Sequence, residues 1–485
     1  MNEEKTTWEK VLQEFRRIWG YKDFRPPQGE IIRCLLASQD ALIVMPTGGG
    51  KSICFQLPAL LQQGLTLVVS PLVALMENQV RELQQNNLPA ALLHNEIPRN
   101  QRKNTLKAVQ NQQIKLLYLS PETLLSMPVW QVLSDPKLII DGLILDEAHC
   151  LVQWGETFRP AYRRLGIVRK ELLKHKPPGT KIAIAAFTAT ANPQSQQIIT
   201  SVLKLKYPQL FCLSPYRSNL NLQVKIAWTP RCRRHLILNF IKSKKQASGL
   251  VYVRSRKGAE KLSQWFNSLQ YKNAPYHAGL SSKERREIEQ KWLLGELQFV
   301  VCTSAFGMGI NKPDVRWVIH FEPPSLLSEY LQEVGRGGRD GKPTDALTLM
   351  SEPTGWLDPS DKQRQQYFKQ KLHQQKQQAK KLLENLPQQG AITTISQEFA
   401  QGEIILSLLH SQDQLEWLDP FHYRLKSRQL TMNKIKPNNN QSYYYSQIKQ
   451  YLITRKCRWQ FLLKSFGFNQ EAKGFKCGHC DNCCR

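Results

Sequence analysis

Between residues 40 and about 350, short apolar runs rich in β-branched residues alternate with longer amphipathic stretches. The first series reads ALIVMP (41–46), TLVVSP (66–71), KLLYLSP (115–121), DGLILDEAH (141–149) and KIAIAAFTAT (181–190). After a break near SPYRSN (214–219), a second series reads GLVYVRS (249–255), FVVCTSAFG (299–307), RWVIHFEPP (316–324) and ALTLMS (346–351). Uninterrupted apolar strands between helical patterns predict parallel sheets with helices on both faces. The simplest reading is an α/β fold with two parallel-sheet domains in tandem, residues 1–212 and 213–352.

The pattern changes after residue 351. Residues 353–390 read as a basic helical linker; within it, Asp361 to Lys381 holds eight Gln and seven Lys or Arg against one acid. A solvated helix is the first reading of such a run, and a helix facing nucleic acid is the alternative. Residues 391–430 read as two short helices and a hairpin, a pattern that suits a small winged-helix-like insert or an ordinary helical one. The Asn-rich stretch 431–445 reads as a flexible connector. A last module, 440–485, is rich in cysteine.

Composition narrows the class. The chain has 485 residues and 67 Lys plus Arg against 39 Asp plus Glu, a formal charge of +28. That excess favours a polyanionic partner, because neutralising phosphates releases condensed counterions. Residues 351–485 carry 20 basic and 11 acidic side chains, so most of the excess runs through residues 1–350. With 41% hydrophobic residues the chain is globular rather than disordered. No run approaches the ~18 apolar residues of a membrane helix, and the charged N-terminus lacks a signal-peptide core. The expectation is an intracellular, cytoplasmic protein with no membrane partner.

The strand ALIVMP runs into Thr47, Gly48, Gly49, Gly50, Lys51 and Ser52, then a helical pattern. Strand, glycine loop and helix start place backbone N–H groups around phosphates. Lys51 would reach the β and γ phosphates of ATP, and the Ser52 hydroxyl would ligate Mg²⁺. Met45 stands where the strict motif has glycine, so the loop alone is only moderately specific. Asp146 and Glu147 stand at the end of another buried strand, where adjacent acids are costly unless they serve a cation or a water. Asp146 would hold Mg²⁺, and Glu147 would orient or deprotonate the attacking water. In the second domain, Gln332, Arg336 and Arg339 share one face if the helix continues that far. The two arginines would then neutralise charge on the transferred phosphoryl group, with ATP between the domains. The plainer alternative is an Arg pair bridging Glu333 and Asp340.

Together these residues resemble a superfamily 2 helicase, and specifically the RecQ family of DNA helicases. The resemblance rests on FRPPQ (24–28), MPTGGGKS (45–52), SPLVALMENQV (70–80), LSPETLL (119–125), LDEAHC (145–150), FTATA (187–191), YHAGL (276–280), TSAFGMGINKPDVR (303–316) and QEVGRGGRDG (332–341). It implies two RecA-like domains, 3′ to 5′ DNA unwinding driven by ATP, and work in recombination, repair or fork maintenance. It also implies that Tyr21, Arg25 and Gln28 contact adenine.

The segment 150–166 resembles the aromatic-rich loop by which such helicases sense single-stranded DNA. Trp154 and Phe158 offer stacking faces worth about 1 to 3 kcal/mol per base, and Arg159 can meet a phosphate or an acid of the ATP site. Glu156-Thr157 stands where the family has His-Asp.

Cys457, Cys477, Cys480 and Cys483 have the spacing of a Zn²⁺ site, with His479 and Cys484 as possible substitutes. The family pattern selects the four cysteines, and four protein ligands make the zinc structural. Longer relatives carry a winged helix after this module. The expectation here is that residues 391–430 supply a displaced winged-helix-like element.

The implied partners are single-stranded DNA and forked or tailed duplexes; a single-strand-binding protein is compatible but unmarked in the sequence. The rival readings are an RNA helicase or a translocase without strand separation, and a non-catalytic DNA-binding scaffold.

Overall fold

The computed structural model describes residues 7–153, 159–306, 310, 312–383, 386–399, 401–427 and 439–484. The chain divides into two units: residues 1–213 with 379–435, and residues 214–378 with 436–485.

The first unit is built on seven strands: β1 (Ala41–Val44), β2 (Leu65–Val69), β3 (Ala90–Leu93), β4 (Leu116–Leu119), β5 (Ile140–Leu145), β6 (Ala183–Thr188) and β7 (Gln209–Cys212). Their order is β3-β4-β2-β5-β6-β1-β7. Every pairing is parallel. The central strands are buried along their whole length, so they read as solid apolar runs. Side chains alternate between two cores: Leu42 and Val44 join Leu67 and Tyr162 on one face, while Ile43 and Met45 join Phe55 and Tyr118 on the other.

The second unit holds β8 (Leu220–Ala227), β9 (Gly249–Tyr252), β10 (Asn273–Tyr276), β11 (Phe299–Cys302), β12 (Trp317–His320) and β13 (Thr344–Ser351). Their order is β10-β11-β9-β12-β13-β8, again all parallel. Both sheets are of the RecA-like type that the motifs imply.

Four strands lie outside the two series of apolar runs read from the sequence: β3, β7, β8 and β10. The longest, β8, is an edge strand in which Leu220, Leu222 and Val224 are buried while the residues between them are partly exposed. One covered face gives alternation rather than a continuous run.

Residues Ser360–Leu383 form one 24-residue helix. After it, β14 (Gln389–Ala391), helices Ile392–Glu398 and Gly402–Ser411, β15 (Leu415–Trp417) and β16 (His422–Leu425) make a small module in the first unit. Its antiparallel sheet has the order β14-β16-β15. Of the stretch expected to be a flexible connector, residues 431–438 lie outside the described residues. The rest is helical: Asn439 begins a helix that runs to Ile453. Its residues 446–453 pack with the cysteine module, and tertiary burial overrides the polar composition around them.

Candidate functional site

Thr47 to Gly50 leave β1 in a tight loop, and Lys51 opens the helix Lys51–Leu61. Gly48 and Gly50 sit at φ of 85° and 77°, the left-handed region that glycine enters without strain. At Gly50 there is a second reason: a Cβ would lie 2.3 Å from the Gln28 amide nitrogen. Gln28 is buried and donates to the carbonyls of Gly49 at 3.2 Å and Gly50 at 3.3 Å. Its own carbonyl accepts from the Arg25 backbone N–H at 2.9 Å. The amide thus ties the segment expected to meet adenine to the phosphate loop itself. Tyr21 and Arg25 are exposed beside it.

The Lys51 ammonium is buried with no hydrogen-bond partner among the described residues. An orphaned cation at an uncapped helix N-terminus is what a polyphosphate would satisfy, so the residues fit ATP. The acids lie at the end of β5. Burial and the neighbouring Glu147 push Asp146 up to about 6, against the opposing pull of Lys51. Its carboxylate accepts from the Glu147 N–H at 3.0 Å and from Gln79 at 3.4 Å. A buried acid that resists ionisation is the group a divalent cation would stabilise, and with the Ser52 hydroxyl it fits Mg²⁺.

Glu147 has φ of 52°, strained for a residue with a Cβ. The strained turn swings its carboxylate to 3.2 Å from His149 Nδ1, which in turn lies 3.2 Å from Thr188 Oγ1. Thr188 donates to the Thr190 carbonyl at 3.2 Å. The DEAH box and the FTATA segment are therefore one hydrogen-bonded unit across β5 and β6.

In the second unit the helix that carries Gln332 ends at Val334. Arg336 and Arg339 consequently lie beyond it, and the expected shared helical face does not form. A glycine turn replaces it. Gly338, at φ of 54°, offers its carbonyl to Asn219 at 2.8 Å and to Arg217, which also donates to Gly335 at 3.1 Å. Arg336 is buried, and Arg339 donates to the Ile310 carbonyl at 2.9 Å. The acids proposed to neutralise these arginines have other partners: Glu333 is bidentate with Arg254, and Asp340 pairs with Arg316. Arg217 and Asn219 were missed in the sequence, where SPYRSN marked only a domain break. No motif spacing signals them, since they act across more than 110 positions.

Trp154 and Phe158 lie outside the described residues. Arg159 meets Glu122 of the LSPETLL segment at 3.4 Å, an acid away from the DEAH box in sequence.

The sulfurs of Cys457, Cys477, Cys480 and Cys483 all lie within 4.8 Å of one another. Sulfurs about 2.3 Å from one tetrahedral zinc would be roughly 3.8 Å apart, and Cys477 and Cys483 stand 3.9 Å apart. Backbone N–H groups of Cys477 and Arg458 point at Cys457 and Cys480 sulfurs at 3.3 and 3.4 Å, as thiolates require. His479 instead faces Tyr216, and Cys484 is exposed. The four-cysteine set fits Zn²⁺.

This module also finishes the second sheet. Asp481 donates its N–H to the Leu222 carbonyl at 3.1 Å and accepts from the Val224 N–H at 2.9 Å. Trp459 donates to the Leu220 carbonyl at 3.2 Å. The free edge of β8 is thereby covered.

Among known families, the DEAD/DEAH box helicase model matches residues 25–199 and the helicase conserved C-terminal domain model residues 232–341. The RecQ zinc-binding model matches residues 424–484. Solved structures agree in fold: Mycobacterium smegmatis Lhr, bound to single-stranded DNA and AMP-PNP, aligns with a TM-score of 0.56 at 21% identity over 71% of this chain and 48% of that one. Saccharomyces cerevisiae Dbp5, bound to RNA and ADP BeF3, aligns with a TM-score of 0.57 at 16% identity over 71% and 88%. The class is that of the DEAD/DEAH box helicases, with two parallel-sheet domains and a zinc module.

Sequence relatives narrow it further. The ATP-dependent DNA helicase RecQ of Synechocystis sp. is 52% identical over 97% of both chains. That of Haemophilus influenzae is 38% identical over 72% of this chain and 54% of its own length. The chain belongs to the RecQ family of helicases.

Proposed function

We propose that this chain is an ATP-driven DNA helicase that translocates 3′ to 5′ on single-stranded DNA and opens tailed or forked duplexes. The observation that carries this reading is the buried, unpartnered Lys51 ammonium behind the glycine loop, with the strained Glu147 two strands over, beyond β6. Its close likeness to relatives named as ATP-dependent DNA helicases supports DNA over RNA.

In this reading the N–H groups of Thr47 to Gly50 and the Lys51 ammonium hold the phosphates, while Tyr21, Arg25 and Gln28 form the adenine side. Ser52 and Asp146 would hold Mg²⁺, which supplies positive charge to the phosphates when bound. Glu147 takes the proton of the attacking water, and His149 keeps its carboxylate aimed through Thr188. Gln332, Arg336 and Arg339 supply donors and positive charge to the transferred phosphoryl group. Trp154, Phe158 and Arg159 meet the DNA strand. The zinc is structural, the compartment is the one that holds DNA, and the work is recombination, repair or fork maintenance. No helix among the described residues is long and apolar enough to cross a membrane.

The test compares ATP turnover with single-stranded DNA and with RNA, then strand displacement on 3′-tailed and 5′-tailed duplexes. DNA-stimulated turnover and displacement from the 3′ tail alone are expected. Lys51→Ala or Glu147→Gln should abolish turnover and leave DNA binding largely intact. Wild-type turnover by Glu147→Gln would overturn the catalytic assignment, and stimulation by RNA alone would overturn the substrate.

A further inference from the structure

The three family matches leave residues 342–423 between them, and most of the module 386–427 falls in that gap. Its helices Ile392–Glu398 and Gly402–Ser411, three residues apart in the chain and followed by a hairpin, have the layout of a helix-turn-helix with a wing. In a DNA reader the second helix would lie open to enter a groove. Here no residue of Gly402–Ser411 is exposed. Ile405, Leu406 and Leu409 form a buried cluster with Ile167 of the helicase domain.

Polar contacts lock the same junction. Arg164, itself buried, donates to the Glu403 carboxylate at 3.0 Å and to the Pro420 carbonyl at 3.0 Å. Phe421 packs edge-on against Trp130 with ring centroids 5.9 Å apart. The charge is also wrong for a phosphate surface: within a chain of +28, residues 386–427 carry five acids and two bases. Those two bases, Arg424 and Lys426, pair with Glu416 and Asp413.

We propose that this module is an internal clamp rather than a duplex reader, with Arg164 as the positioning residue it holds. What it fixes is the turn Pro160–Arg164, the return path of the chain from the DEAH box to the helix Leu165–Leu173. Arg159, which begins that return, is among the residues assigned to DNA above, so the functional half of the inference rests on the proposed DNA-driven reaction. The clamp makes DNA binding count at the ATP site: without it, the return path loosens and stimulation falls.

The experiment uses the full zinc-loaded chain and the variants Glu403→Ala, Glu403→Gln and Phe421→Ala. Glu403→Gln keeps an acceptor for Arg164, and Phe421→Ala loosens the junction without stranding a charge. Amide hydrogen exchange over residues 160–164 reads the clamp without DNA. It is expected to quicken at least tenfold in Glu403→Ala and Phe421→Ala and to stay near wild type in Glu403→Gln; no change in either alanine variant overturns the clamp.

ATP turnover titrated with an oligothymidylate reads the coupling. Basal turnover should stay within twofold, and the stimulated maximum should fall at least fivefold in both alanine variants, with Glu403→Gln recovering it. Undiminished stimulation overturns the coupling. So does a fivefold loss of fork unwinding by Arg424→Glu/Lys426→Glu with stimulation intact in Phe421→Ala, since that is the behaviour of a duplex reader. Wild-type turnover that no DNA stimulates overturns the proposed reaction and leaves the exchange result to decide the clamp.

Discussion

Tyr451 donates its phenolic hydrogen to the Tyr330 hydroxyl at 2.8 Å, and both rings are fully buried. Tyr330 sits in the helix Leu327–Val334, two residues before Gln332, while Tyr451 belongs to the helix that leads into the cysteine module. The zinc module thus touches the element from which the arginine turn departs. Tyr451→Phe should cost about 1 kcal/mol, the net worth of one buried hydrogen bond. The expected outcome is a small fall in thermal midpoint and a lower kcat for ATP with KM little changed, measured by calorimetry and steady-state turnover.

Arg254 is the deeper support of that helix. It is bidentate with Glu333 at 2.9 and 2.6 Å, and His320 Nε2 lies 3.0 Å from the same carboxylate. Burial alone would raise Glu333, but the Arg254 and His320 partners outweigh it and hold it down at about 2. Arg254→Gln strands a buried carboxylate and should cost about 3 to 5 kcal/mol. The pH dependence follows from the lowered value. Above pH 4.5, the ordinary value, the contribution is fully present; it is lost as pH falls from 4.5 toward 2. Denaturant midpoints measured across that window should drop more steeply for wild type than for an Arg254→Met/Glu333→Leu pair.

Removing zinc should do more than unfold a small loop. The N–H of Asp481 and the indole of Trp459 cover the edge of β8, and Asp481 is also held by Arg458 at 2.6 and 2.8 Å. Without metal the cysteine cluster loses its organising centre, and β8 presents unpaired backbone groups. One zinc per chain is expected by elemental analysis. Chelation should bring proteolysis within residues 457–484 and a rise in light scattering; Cys480→Ser should reproduce both.

His410 gives the clamp module its own acid limit. Burial, with Arg163, Lys204 and Lys426 facing it against the single acid Asp413, pushes the imidazole down to about 4 from an ordinary 6.5. A base whose folded value is lowered contributes nothing above pH 6.5; below it the unfolded chain takes the proton first, so stability falls until about pH 4. Hydrogen exchange over residues 402–411 should therefore quicken between pH 6 and 4 beyond its intrinsic change, and His410→Phe should flatten that excess.

Some of this protein is written locally. The apolar runs of β1, β2, β4, β5 and β6 mark a parallel sheet because both faces are covered, and glycine, lysine and paired acids at strand ends mark a phosphate site because few other arrangements tolerate them. Cysteine spacing marked a metal site for the same reason, and the family resemblance then chose the four cysteines over His479 and Cys484. Tertiary structure decided the rest. β8 needed a partner strand and the Asp481 loop, so its alternating residues carried no clear signal alone. Arg336 and Arg339 are held by a turn that Arg217 and Asn219 fasten, not by a continued helix. Gln28 ties the phosphate loop from 21 residues away. Whether a helix-turn-helix lies open or against its own chain depends on Arg164, some 240 residues from Glu403. Periodicity records which face of an element is buried, and only folding selects what buries it.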